Sequence, residues 1–179
     1  MASTIEKTTL AGGCFWCIEA AFNSLQGIIS AESGYMGGHT DAPTYKMVCE
    51  GNSGHAEVVQ LTYDSGMISF REILEIFFTL HDPTQLNRQG NDIGTQYRSA
   101  IFYHNDEQQQ IASNIIKELN ESTAFSAPIV TEINPLSPFF SGEDYHQDYF
   151  NNNPENQYCQ AVVSPKLAKF RKTFVEKLK

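Results

Sequence analysis

The chain is 179 residues long, enough for one domain around a single core. Hydrophobic residues make up 41% and aromatic residues 12%, a composition that excludes intrinsic disorder. Its net charge of −9 excludes a general phosphate-binding field, and with it nucleic-acid binding and docking on anionic membranes.

No apolar run approaches the roughly 20 residues that span a bilayer. The start, Met1-Ala2-Ser3-Thr4-Ile5-Glu6-Lys7, has no charged segment followed by an apolar one, so no signal peptide is expected. The expectation is a cytoplasmic protein with one catalytic domain over residues 1–179. In a reducing compartment, cysteines at 14, 17, 49 and 159 point to redox catalysis or metal binding rather than a disulfide framework.

Thr8 to Ala11 reads as a short strand running into Gly12-Gly13. Cys14 to Leu25 reads as a helix, with Ile18, Ala21, Phe22 and Leu25 on one face. Ile28 to Tyr35 reads as a strand, which Gly34, Gly37 and Gly38 break. Pro43-Thr44-Tyr45 starts a short helix. From Glu57 to Tyr63 the sequence alternates, with Val59, Leu61 and Tyr63 on one face. Ser69 and Glu72 have the spacing of a capping box, and an apolar stripe follows through Phe70, Ile73, Leu74, Phe77 and Phe78. The stretch from His81 to Gln96 is a long polar loop, the kind that carries function. Arg98 to Tyr103 reads as a strand, Asp106 to Leu119 as a helix and Ile129 to Ile133 as a strand. Ser164-Pro165 leads into a basic helix to Lys179. This order predicts an α+β two-layer sandwich with helices on one side of a mixed sheet.

The most informative segment is Gly12-Gly13-Cys14-Phe15-Trp16-Cys17-Ile18-Glu19. The glycines permit a sharp turn and put Cys14 at a helix N-terminus, where unpaired amides favour thiolate over thiol. The only Trp of the chain lies two residues on, beside a Phe, and offers an apolar wall to a substrate. The plainer alternative is that all three are core residues. Cys14 and Cys17 form a C-x-x-C, which suits a dithiol pair or half of a zinc site, although no second ligand pair stands at metal spacing. Glu57 shares a face with Val59. If that face is the core side, its carboxyl is desolvated, stays protonated near neutrality and can act as a general acid. On the solvent side it is an ordinary strand-end carboxylate.

These residues resemble the A-type peptide methionine sulfoxide reductases. The resemblance rests on Gly13-Cys14-Phe15-Trp16 with Glu19, Gly34-Tyr35-Met36-Gly37-Gly38, Pro43-Thr44-Tyr45, Val48-Cys49-Glu50-Gly51 and Gly54-His55-Ala56-Glu57. It continues through His81-Asp82-Pro83-Thr84, Gln89-Gly90-Asn91-Asp92, Gly94 to Ser99 and Glu143-Asp144-Tyr145-His146-Gln147. It runs from about residue 8 to 172, in the order of that family. The resemblance implies a ferredoxin-like core and reduction of the S epimer of methionine sulfoxide, free or in proteins, without metal or organic cofactor. It implies Cys14 as nucleophile, Phe15 and Trp16 as the wall for the substrate's methyl group and Glu57 as the acid. Tyr45 and Tyr97 supply hydroxyls to the sulfoxide oxygen, and Asp92 assists through water.

The same resemblance implies that a second thiol resolves a sulfenic acid at Cys14 and that thioredoxin or a similar dithiol reductant reopens the disulfide. Cys159, in a C-terminal segment of about 150–179, matches the resolving position, and the polar stretch Asn151 to Asn156 brings it inward. Cys17 departs from the glycine common in relatives and offers another resolving thiol. Cys159 is favoured, with Cys17 a packed helix residue. Cys49 is expected to be structural. His146, a lone histidine in an acidic context, stays outside the catalytic set. The expected partners are that reductant and the sulfoxide substrate, on a monomer. Two competing readings remain at this point. One is a general thiol–disulfide oxidoreductase using Cys14 and Cys17; the other is a binding module in which Cys14 is inert.

Overall fold

A computed structural model describes residues 4–153 and 155–179, so Met1, Ala2 and Ser3 of the leader reading and Pro154 within the Asn-rich stretch lie outside it. Strand β1 (Ile5–Gly12) leads into helix α1 (Phe15–Asn23), then strand β2 (Ile28–Met36) and the short helix α2 (Tyr45–Cys49). Strand β3 (Ala56–Asp64), helix α3 (Phe70–Leu80) and the two-residue strands β4 (Arg88–Gln89) and β5 (Asp92–Ile93) follow. The chain continues through β6 (Ser99–Tyr103), α4 (Asp106–Glu121), β7 (Glu132–Pro135), β8 (Phe140–Ser141), α5 (Tyr149–Asn152) and α6 (Ser164–Thr173).

The main sheet has the order β7-β6-β1-β3-β2-β8, antiparallel throughout except for the parallel β6–β7 pair. Its four central strands with α1 and α3 form two split βαβ units, the ferredoxin-like arrangement. β1 lies between β3 and β6, so both its edges are paired, and Thr8, Thr9 and Leu10 are all fully buried. The larger core joins Leu10, Val59, Leu61, Tyr63 and Ile101 to residues of α1, α3, α4 and α6. The opposite face carries a smaller cluster of Ala11, Met36, Ala56, Val58, Ala100 and Phe102, against which Phe139 packs. The helices therefore cover one side, as expected. Burying the apolar stripe of α3 supplies much of that core. Its seven buried side chains, Phe70, Ile73, Leu74, Ile76, Phe77, Phe78 and Leu80, contribute about 1.5–3 kcal/mol each before entropy.

Local signals fix the helix starts. Ser69 and Glu72 form the capping box reciprocally at the head of α3. Thr44 caps α2 through Met47 N, and Asn105 caps α4 through Gln108 N. Boundaries move where longer-range bonds win. β6 begins at Ser99 because the Arg98 amide already donates to Thr95 O in a 3₁₀ turn. The strand expected at Ile129 begins at Glu132 instead, because the Val130 amide donates to Pro83 O. The C-terminal helix stops at Thr173, and the chain folds back: Leu178 bridges to Leu25, and Lys179 N donates to Ser24 O at 2.8 Å.

Candidate active site

Cys14 sits where β1 ends and α1 begins. Gly13 has φ +93°, and a Cβ there would lie 2.8 Å from Gln89 Cγ. A Cβ on Gly12 would lie 2.9 Å from the Phe77 ring. Only glycines let the chain turn this closely over α3 and the 81–89 loop. Cys14 is the N-cap of α1 and remains half-buried. Leu10 faces Val59 across the β1–β3 pair, so Glu57 lies beside the glycine turn. Tyr35 faces Glu57 from β2.

Glu57 is 1% exposed and lies on the helix-covered face. Its Oε1 accepts from the Phe15 amide at 3.2 Å. Its Oε2 has no partner among the described residues. Burial pushes its pKa up to about 8, the charges of Asp92 and Cys17 add to this, and the Phe15 amide opposes it. At neutral pH this carboxyl holds a proton. Cys14 departs from the simple helix-dipole expectation. The Trp16 amide does favour its thiolate, but burial, the Cys17 thiol and the Glu57 charge outweigh it, and the thiol is raised well above its ordinary value. The resting site therefore holds a thiol beside a carboxylic acid.

Tyr45 is half-buried at the start of α2, and Tyr97 half-buried in the 3₁₀ turn before β6. Burial and Glu57 raise both phenols far above their ordinary value, so both remain donors. Asp92, on β5, accepts from Tyr158 Oη at 2.5 Å. Phe15 stacks with Tyr45 at 6.4 Å between centroids, and the Trp16 indole stacks on Tyr149 at 3.9 Å with 9° between planes. Cys17, 4% exposed, interacts directly with Cys14, and that contact lowers its pKa. Cys159 is fully buried in the turn before α6, where burial and the Cys17 charge raise its thiol. The three sulfurs thus run in the order Cys14, Cys17, Cys159. Cys49, expected to be structural, is exposed at the end of α2 beside Tyr45.

Several residues of this site carried no role in the sequence reading. Glu143 accepts from Tyr35 Oη at 2.8 Å and from the Tyr45 amide at 3.0 Å. Glu19 is buried and accepts from Ser33 Oγ and from the Asp148 amide. His146 is buried against the aromatic cluster and accepts from Trp16 Nε1. Their only sequence signal is membership of two acidic motifs far apart in the chain. A groove of about 970 Å³, lined by Phe78, Leu119, Lys169 and Phe174 among others, includes neither Cys14 nor Glu57. Among the described residues no group of three or more His, Cys, Asp or Glu gathers as a metal site, and no helix is long and apolar enough to cross a membrane.

Comparisons with known proteins agree with this geometry. A protein from Saccharolobus solfataricus described as peptide methionine sulfoxide reductase MsrA is 54% identical over 175 residues, 98% of each chain. The reduced form of Mxr1 from Saccharomyces cerevisiae superposes with a TM-score of 0.80 at 38% identity, covering 87% of this chain and 89% of that one. Mxr1 in complex with Trx2 superposes with a TM-score of 0.57 at 27% identity, covering 81% and 84%. The family model for peptide methionine sulfoxide reductase matches residues 6–178. With Cys14, the buried Glu57 and the Phe15-Trp16 pair all within that span, the chain belongs to the peptide methionine sulfoxide reductase family.

Proposed function

We propose that the chain reduces the S epimer of methionine sulfoxide, with Cys14 as nucleophile and Glu57 as proton donor. The observation that carries this reading is the unpartnered Oε2 of a protonated, buried Glu57 beside the Cys14 turn. That oxygen has no hydrogen-bond partner among the described residues. A sulfoxide oxygen is the acceptor that suits it, flanked by the Tyr45 and Tyr97 hydroxyls. Phe15 and Trp16 offer the methyl group an apolar wall, and Asp92 with Tyr158 closes the polar side.

Glu57 passes its proton to the sulfoxide oxygen as the Cys14 sulfur attacks the sulfoxide sulfur, and takes up the proton that the Cys14 thiol releases. The new bond between the two sulfurs and the substrate's S–O bond both break as the hydroxyl moves onto the Cys14 sulfur, which leaves Cys14 as a sulfenic acid and releases methionine. The Cys17 thiol, expected from the sequence to be a packed helix residue with Cys159 the favoured resolving thiol, contacts Cys14 directly and therefore attacks that sulfur first; a Cys14–Cys17 disulfide forms and water departs. Cys159 exchanges onto Cys17 and frees Cys14. A thioredoxin dithiol takes the final disulfide, its own two thiols becoming oxidised, in the reducing cytosol of the cell.

Single-turnover reduction of each purified epimer without added reductant tests the proposal. One equivalent of methionine is expected from the S epimer only, and none from the Cys14→Ser variant, whose hydroxyl is not a useful nucleophile at neutral pH. Retained reduction by that variant overturns the mechanism. Reduction of insulin disulfides with no reduction of sulfoxide selects the general oxidoreductase instead.

A further inference from the structure

The groove of about 970 Å³ that leaves out Cys14 lies between α3, α4, α6 and the 124–126 loop. That volume is at the upper end of small-molecule sites. Phe78, Ile115, Leu119, Phe170 and Phe174 give it an apolar body, and Phe125 adds to it from the loop. Phe125 and Phe174 are only half-buried, so aromatic surface is left to cover. The groove runs behind the Cys14 turn: Gln89, whose side chain packs against Gly13, lines one end of it.

The charges along this groove are unevenly matched. Arg71 pairs with both Glu75 and Glu118. Asp82 accepts from the amide and the hydroxyl of Thr84. His81 donates from Nδ1 to Phe77 O and accepts at Nε2 from Ser99 Oγ, and burial lowers its pKa to about 4, so it is neutral. Lys166 and Lys169 remain. Among the described residues neither pairs with a carboxylate. Lys166, Phe170 and Phe174 follow one another at spacings of four, so one stripe along α6 and its C-cap changes from cationic to aromatic over roughly 12 Å. The two rings of that stripe pack together with centroids 5.4 Å apart.

We propose that this groove binds a small amphipathic carboxylate, its aliphatic chain among the phenylalanines and its anionic head on Lys166 and Lys169. A neutral apolar molecule would leave the two lysines unmatched, and a bare anion would leave the aromatic body uncovered. A stable protein interface takes about 800 Å² from each partner, much more than a stripe of this length offers, so the complementary occupant is a small molecule.

Titration calorimetry of the full chain with decanoate, decanol and acetate tests the proposal. Decanoate is expected to bind once, decanol about tenfold or more weaker, and acetate not at all. Lys166→Met with Lys169→Met keeps the apolar stems and removes the charges. That double variant is expected to bind decanoate about tenfold more weakly, to bind decanol as before and to lose the salt dependence of decanoate binding. Thr79→Trp, at an exposed position on the groove wall, fills the groove and is expected to abolish decanoate binding. Methionine sulfoxide is expected not to displace decanoate, because the groove is separate from the Cys14 cleft. Absence of decanoate binding overturns the proposal, and so does equal affinity for decanoate and decanol. Binding that survives Thr79→Trp places the ligand elsewhere, and displacement by methionine sulfoxide places it in the cleft; either result overturns the proposal as well.

Discussion

Replacing Glu57 by glutamine separates the two consequences of burying a carboxyl. In the folded chain Glu57 keeps its proton up to about pH 8, whereas its ordinary value is 4.5. Between those values the native state binds a proton that the unfolded chain has released, so stability falls as pH rises. The slope is about 1.4 kcal/mol per pH unit, and at pH 7 the accumulated cost is roughly 3 kcal/mol. Glutamine has the same shape, can accept from the Phe15 amide and does not titrate. The variant is therefore expected to be more stable than the native protein, by a margin that widens from pH 5 to pH 8. Urea unfolding at four pH values across that range, under reducing conditions, measures the margin. The same variant loses the transferable proton, and its single-turnover rate is expected to drop roughly 10²-fold. Unfolding curves whose separation is constant from pH 5 to pH 8 would show that Glu57 carries no proton in the native state and refute the reasoning. A rate loss below about threefold would remove it as the acid.

The remaining predictions concern the turn and the sulfurs. Gly13→Ala forces a Cβ to 2.8 Å from Gln89, at a φ that alanine resists, and is expected to cost roughly 1–3 kcal/mol. Gln89 holds both the amide and the carbonyl of Asp82, so the strain spreads into the 81–96 loop; an unchanged urea midpoint contradicts this. Cys159→Ser is expected to keep the burst of one methionine, accumulate a Cys14–Cys17 disulfide and stop thioredoxin-driven cycling. Cys17→Ser is expected to leave a Cys14 sulfenic acid that a 1,3-diketone probe traps. A Cys14–Cys159 disulfide forming at the native rate in that variant, seen by non-reducing peptide mapping, rules out the relay order.

What was legible in the sequence is what short-range chemistry decides. Ser69 and Glu72 announce the head of α3 because both partners lie within one turn. The Gly12-Gly13-Cys14 run announces a tight turn because few residues other than glycine tolerate it. Alternation placed Glu57 with Val59 and Leu61, and the burial of that face then gave its raised pKa. The helix-dipole argument at Cys14 was sound in direction, but it competed with burial, which no single sequence displays. Glu143, Glu19 and His146 were illegible as a set. Their roles come from bonds between segments more than 90 residues apart, such as Tyr45 to Glu143 and Trp16 to His146. The start of β7 was misplaced for the same reason, since a bond to Pro83 decides it.

The edges of the sheet matter for the company such a protein keeps. Oxidised polypeptides are often partly unfolded, and their loose strands seek any open ladder of backbone amides. This sheet offers them little. One border is β8, only two residues long. The other, β7, is four residues long, opens on the charged Glu132 and closes on Pro135, which has no amide hydrogen to give. Glu132 is further engaged by Arg98. A damaged chain can therefore present its sulfoxide at the Cys14 cleft without finding a template along which to zip. The borders of this sheet thus discourage edge-to-edge pairing with a partly unfolded chain.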